Sequence, residues 1–285
     1  MNSRSAGAGF TIIEVLIVLA VSSLIMVSAL VLLGGKQQRT QFQQDINDLS
    51  SKIEDTVNGV ASGFAPDVSN KIRCVMIGTT LKINKIGNGN TFDQGTQKGC
   101  VYVGKVIQFQ PSTTDTAKLN IFTVVGLRTV DTGGTTLVQH FEDADLTVAS
   151  PNSQTDNDLP DLTENYRLRW GTMITKAINL TDGSHPYAIG FFNGYGPDVS
   201  GISPASGTQN QISTTLTINP GASYDDIADD VNALTDATLT FPSKGVELCL
   251  DGGHGDYARL IIGGDNNQTG TKIVYDGRSR APECN

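Results

Sequence analysis

Glu14 is the residue whose position asks for chemistry. It lies in FTIIEVLIVLAVSSLIMVSALVLL, Phe10 to Leu33, a 24-residue run that is otherwise apolar except for Thr11 and three serines. A carboxylate inside a bilayer costs a few kcal/mol unless it is paired or stays hydrated. Two readings follow. Glu14 sits near the interface in contact with water, or it meets a cation at its own depth. A free α-amino group on Phe10 would be that cation if the chain were cut after Gly9. The amine could belong to a neighbouring subunit, and burial in the membrane would then be coupled to assembly.

Further candidate groups lie towards the C-terminus. Gly277-Arg278-Ser279-Arg280 places two guanidinium groups on one loop, and each can hold a phosphate with two parallel hydrogen bonds. The plainer reading is a solvated basic turn. Cys74, Cys100, Cys249 and Cys284 allow three disulfide connectivities, which sequence does not choose between. Pairing of neighbours, Cys74–Cys100 and Cys249–Cys284, would close hairpin-like units. Reduced, buried cysteines are the alternative. No C-x-x-C is present, so neither zinc nor redox chemistry is expected. Asp251-Gly252-Gly253-His254-Gly255-Asp256 and Asp265-Asn266-Asn267 offer oxygens to a calcium ion, but the spacing is not that of an EF-hand and turns need the same residues. His140, His185 and His254 have no carboxylate or cysteine close in sequence. There is no nucleophile elbow, zinc-protease helix or phosphate-binding loop. The reading is non-enzymatic, with no cofactor and no metal.

The elements that would carry these groups follow from patterning. As a helix, residues 10–33 would be roughly 36 Å long, enough for a hydrocarbon core of about 30 Å. Gly34-Gly35 is a local weak point and a candidate hinge. Phe42, Ile46, Leu49, Ile53, Val57 and Val60 then recur every three or four residues, which makes one apolar stripe on a helix. Gly59 and Gly63-Phe64-Ala65-Pro66 should end that helix. From residue 64 onward short β-patterned runs alternate with turn clusters. They are 72–77, 81–86, 101–110, 119–127, 166–170, 187–192, 212–218, 246–250, 257–262 and 272–275. Trp170 is expected in a strand core. Ser223-Tyr224-Asp225-Asp226 resembles a capping box ahead of a helix carrying Ile227, Val231 and Leu234. Residues 152–161 read as a surface loop. The fold class is α+β, a long N-terminal helix followed by a β-rich head. The chain's net charge of −9 disfavours nucleic-acid binding by the surface as a whole, though not by one basic loop.

Gly9-Phe10-Thr11-Ile12-Ile13-Glu14-Val15 resembles the processing motif of type IV pilins and type II secretion pseudopilins. The resemblance rests on a short polar leader, the glycine, the phenylalanine, and a glutamate at the fifth mature position. It implies cutting between Gly9 and Phe10 by a prepilin peptidase, methylation of the new N-terminus, and a role for Glu14 in assembly. The leader carries one basic residue, Arg4, where several are common. The implied organisation is a leader at 1–9, a helix at 10–63 that spans the membrane over 10–33 and forms a spine over 34–63, and a globular head at 64–285. The implied partners are other pilin subunits, the peptidase, the assembly platform and the membrane, and the implied place is a single-pass membrane protein with an exported head.

Leu239-Thr240-Phe241-Pro242, Gly245-Val246-Glu247-Leu248, Tyr257-Ala258-Arg259-Leu260-Ile261-Ile262 and Val274-Tyr275-Asp276-Gly277-Arg278 resemble the last strands of the GspH/FimT group of minor pilins and pseudopilins. Arg278 and Arg280 match an element associated with DNA binding in the FimT branch. The resulting reading is a structural, minor filament subunit that contributes to DNA uptake. Its rivals are a DNA-binding or adhesive tip receptor and a membrane-anchored secreted enzyme.

Overall fold

The structure is a computed structural model. It describes residues 11–62, 72–77, 80–85, 100–110, 114–127, 138, 140–149, 162–193, 211–216, 218–236, 238–239, 243–264 and 270–284. Gly9, Phe10 and residues 152–161 lie outside them, as do the side chains of Cys74 and Cys100.

Helix α1 runs from Ile12 to Ala61 as 50 residues without a break. It passes through Gly34-Gly35, so the expected hinge is continuous helix. Two glycines cost about 1 kcal/mol each relative to alanine, which a helix packed along half its length absorbs. Gly59 also lies inside the helix, and Ser62 caps it by donating its N–H to Asn58 and Val60. The apolar stripe is the packing face: Ile46, Leu49, Val57 and Val60 are wholly buried, with Phe42 and Ile53 nearly so.

Two antiparallel sheets receive that stripe. One has the order β12-β11-β10-β7, with β7 at Met173–Asn179, β10 at Val246–Asp251, β11 at Tyr257–Ile262 and β12 at Thr271–Gly277. The other has the order β5-β4-β3-β8-β9, with β6 also paired to β4. Its strands are β3 (Cys100–Phe109), β4 (Lys118–Leu127), β5 (Thr147–Val148), β6 (Thr163–Arg167), β8 (Ala188–Asn193) and β9 (Gln211–Leu216). A separate hairpin pairs β1 (Ile72–Ile77) with β2 (Thr80–Lys85). Ile107, Phe109, Ile121 and Phe191 of the larger sheet meet the α1 stripe together with Leu248, Leu250, Leu260 and Ile262 of the smaller one.

The larger sheet is buried on its other face too, and its central strands β4 and β8 are accordingly buried along most of their length. There Val106, Phe122, Val124 and Phe192 pack on Ile227, Val231 and Leu234, at and just after helix α2 (Tyr224–Asn232). The Ser223–Asp226 capping box that starts α2 is present in both directions. Gly104 shows how close the strands of this sheet lie: a Cβ there would come within 2.0 Å of the Phe191 carbonyl oxygen. The β3 register shifts at this point.

One strand expectation is corrected. The strand ends at Arg167, and Trp170 lies in a turn, exposed, at φ +48° with Gly171 at +81°. Leu168 goes into the core in its place. The chain reverses at Trp170-Gly171 to enter β7, a strand that the apolar pattern did not reveal because Met173 is apolar on the exposed face and a register shift between Ile174 and Lys176 interrupts the alternation.

Candidate functional site

The site begins where α1 begins. Thr11 is its N-cap and Glu14 the third helical residue, and the two cap each other. Glu14 Oε2 accepts from the Thr11 N–H and from its hydroxyl, both at 3.2 Å. Thr11 Oγ1 accepts from the Glu14 N–H at 3.3 Å. The carboxylate thus satisfies a helix-end donor that has no partner within the helix, and it sits at the positive end of the helix dipole. It also lies beside the nitrogen that joins residue 10 to residue 11.

Beyond this cap the helix is bare. Ile12–Ala29 is long and apolar enough to cross a membrane, and none of it is buried. Ser23 and Ser28 donate their hydroxyls to the Leu19 and Leu24 carbonyls at 2.8 Å, which matches these two polar groups within the helix itself.

Comparison with known families identifies this segment. Residues 4–30 match the prokaryotic N-terminal methylation motif. The match supports the type IV pilin and pseudopilin family. It stops short of the C-terminal strands. No curated protein and no solved structure matches the chain. The motif, joined to a bare apolar helix and a separate head, fits a membrane-anchored subunit with an exported head. It implies processing by a prepilin peptidase and assembly with other pilin subunits, and the proteins that carry it are structural.

The C-terminal candidates have a different arrangement from the one their sequence suggested. Arg280 donates to Asp251 at 2.7 Å and its guanidinium lies 4.8 Å from the centre of the Tyr257 ring. Arg278 is exposed. The loop therefore offers solvent one guanidinium rather than a matched pair. Asp251 also accepts from the Gly253 N–H at 2.8 Å, so the glycine-rich segment after β10 is a turn held by its own aspartate and by Arg280.

Cys249 and Cys284 form a disulfide, with Cα atoms 5.7 Å apart and both residues buried. The bridge spans β10 to the C-terminal turn and encloses the β10-β11-β12 meander, more than the single hairpin expected. Glu247 is buried beside it and accepts from Arg259 at 3.2 Å, while Arg259 also holds Asp276. Burial raises the Glu247 pKa, with Arg259 opposing.

His140 finds a partner far away in sequence. Its Nδ1 lies 2.6 Å from Asp236 Oδ2, and Asp236 Oδ1 accepts from the Phe141 N–H at 3.1 Å. The Asp236 N–H in turn donates to Glu142 at 3.0 Å. This exposed knot ties a short 3-10 turn, Phe141–Asp143, to the exit of α2. Asp236 raises the His140 pKa through that hydrogen bond.

Sequence reading missed Asp45. This α1 carboxylate is fully buried and its Oδ2 accepts from the Arg169 N–H at 2.8 Å. Its other oxygen, Oδ1, is buried without a hydrogen-bond partner among the described residues, and desolvation raises the Asp45 pKa above the ordinary aspartate value. An aspartate one residue ahead of Ile46 in the apolar stripe was the available signal: a carboxylate on the margin of a packing face needs donors.

Proposed function

We propose that the chain is a minor subunit of a type IV pilus or a secretion pseudopilus, cut between Gly9 and Phe10, methylated on Phe10 and assembled through α1. The observation that supports this reading is α1 itself. One continuous helix is apolar and uncovered over Ile12–Ala29, then buried along a stripe from Phe42 to Val60. Lipid covers the uncovered half first, and the same half of other subunits covers it in a filament. The head, residues 64–285, is large for a repeating lattice, which favours a specialised subunit present in few copies. The chain contributes surface and anchorage, and other components drive movement. DNA binding is left out of the reading, because Asp251 and Tyr257 engage Arg280.

The test is incorporation. Filaments sheared from cells that express the tagged chain should contain it, and the Glu14→Ala form should accumulate in the membrane instead. Equal recovery of both forms in filaments would refute the proposed role of Glu14. Absence of the unaltered chain from every filament fraction would refute the subunit reading.

A further inference from the structure

Three chain reversals meet at the end of the head nearest the membrane span, and the packing along α1 fixes their level. Strand β12 runs down the helix. Thr271 contacts Ser50 through hydroxyls 2.5 Å apart and also donates to Glu54. Tyr275 lines a cleft with Phe42 of the helix. Gly277 closes this shallow cleft with Arg39 and Gln43. The turn after β10 lies at the same level, since a Cβ on Gly252 would come within 2.9 Å of the Phe42 ring. The Trp170 turn lies beside it: Asp45 holds Arg169, and a Cβ on Gly253 would sit 3.5 Å from the Gly171 carbonyl oxygen.

The side chains at this end share one character. Lys36, Arg39, Arg169 and Arg278 are exposed, and so are Trp170 at 39% and Tyr275 at 42%. The acids at this level are Asp45, buried under the Trp170 turn, Asp115, paired with Arg167 beside that turn, Asp251, paired with Arg280, Asp276, paired with Arg259, Asp48, and Asp256 at the rim of the cleft. Cations thus outnumber available carboxylates here, in a chain whose net charge is −9. Trp170 is also held at φ +48°, a conformation that costs a bulky residue energy, while its ring stays exposed.

Depth supplies the partner. If the hydrocarbon ends near residue 33, Lys36 lies about 5 Å above it and Arg39 about 9 Å above it, at 1.5 Å per residue. The headgroup layer is roughly 5–7 Å thick on each side. The Arg39 side chain reaches it on an upright helix, whereas the Trp170 turn, at the level of Asp45, lies about 18 Å above residue 33 and reaches it when the helix leans toward that face, within the range of tilts that single helices adopt. Tryptophan, tyrosine, lysine and arginine are the residues that settle there. We propose that the base of the head is a docking surface for anionic phospholipid headgroups, with Arg39 and Arg278 on the phosphates and Trp170 in the interfacial layer. It would hold the head against the membrane before assembly. The proposal rests on α1 spanning the membrane.

Trp170 is the only tryptophan in the chain, so its emission reports the surface directly. The mature full-length chain is placed at one copy per nanodisc, in phosphatidylcholine alone or with phosphatidylglycerol, each containing a trace of headgroup-nitroxide lipid. Quenching of Trp170 should be strong with phosphatidylglycerol, weak without it, and lost in 1 M salt, where the screening length falls to about 3 Å. Each cation near an anionic surface is worth about fivefold, so Arg39→Ala with Arg278→Ala should lower the docked fraction ratio roughly 25-fold. Equal quenching in both lipids would overturn the proposal, as would quenching that needs two copies per disc, which assigns the surface to subunit contact. The lipid comparison needs no variant, so a folding defect cannot hide the answer. Failure of the chain to enter discs at all would contradict the membrane span instead.

Discussion

Glu14 Oε2 lies 3.2 Å from the Thr11 backbone nitrogen and reaches the Thr11 hydroxyl at the same distance. One carboxylate therefore caps α1, and the proposed cleavage would give it a second duty as counter-charge to the freed Phe10 amine. Gln can replace Glu in a capping box without its charge, and Ala can do neither. Glu14→Gln should keep the first turn of α1 ordered and still assemble poorly. Glu14→Ala should assemble poorly and also fray that turn. Hydrogen exchange at residues 12–15 separates the two effects. Normal assembly of the Gln form would show that capping alone matters.

Asp45 gives a pH dependence with a definite sign. Desolvation raises its folded-state pKa, so the folded protein binds this proton more readily than the unfolded chain. The stability it contributes is complete below the ordinary aspartate value of 3.8 and is lost as pH rises through the folded value. Asp45→Asn keeps an acceptor for the Arg169 N–H and removes the buried charge. Its melting temperature should exceed that of the unaltered chain at pH 7, and the gap should close as pH falls toward 4. Asp45→Ala leaves that N–H without its acceptor and should cost about 1–3 kcal/mol. A gap that widens on acidification would contradict the sign.

The Cys249–Cys284 bridge closes a sequence separation of 35 residues. Loop closure of that size is worth roughly 3–4 kcal/mol in the chain-entropy model. Replacing both cysteines with serine should lower stability by about that amount and loosen the turn around Arg278 first. Non-reducing peptide mapping checks the linkage, and Cys74–Cys100 is the second pair to look for. Crossed peptides would contradict the arrangement.

Gly104 is the position in β3 least able to accept a side chain. A Cβ there meets backbone, the Phe191 carbonyl at 2.0 Å, and backbone cannot swing away. Gly104→Ala should destabilise the head by about 3 kcal/mol, the upper end of overpacking costs. Denaturant unfolding measures it, and a change below 1 kcal/mol would show that the strands separate more easily than their register indicates.

The parts of this molecule that were legible in the sequence are those with a period or a motif. The α1 stripe from Phe42 to Val60 repeats at helical spacing, and the same residues are buried. The Ser223–Asp226 box predicted α2 for a local reason, since both capping partners lie within four residues. Trp170 was misplaced because Arg167-Leu168-Arg169-Trp170 alternates like a strand, while the turn depends on Asp45, over a hundred residues away. The engagement of Arg280 was hidden in the same way. A basic loop looks available until the fold brings Asp251 and Tyr257 to it. Gly34-Gly35 shows the reverse case, where a local weakness is overridden by a long helix.

The central claim is that this chain matures into a filament subunit, and the mass of its N-terminus tests that most directly. The chain is purified from the membranes of a host that makes prepilin peptidase, and its intact mass is measured. The account predicts a chain that begins at Phe10, lacks residues 1–9 and carries one added methyl group, and it predicts the uncut form when Gly9 is changed to a bulkier residue. A chain that still begins at Met1 beside an active peptidase would contradict it.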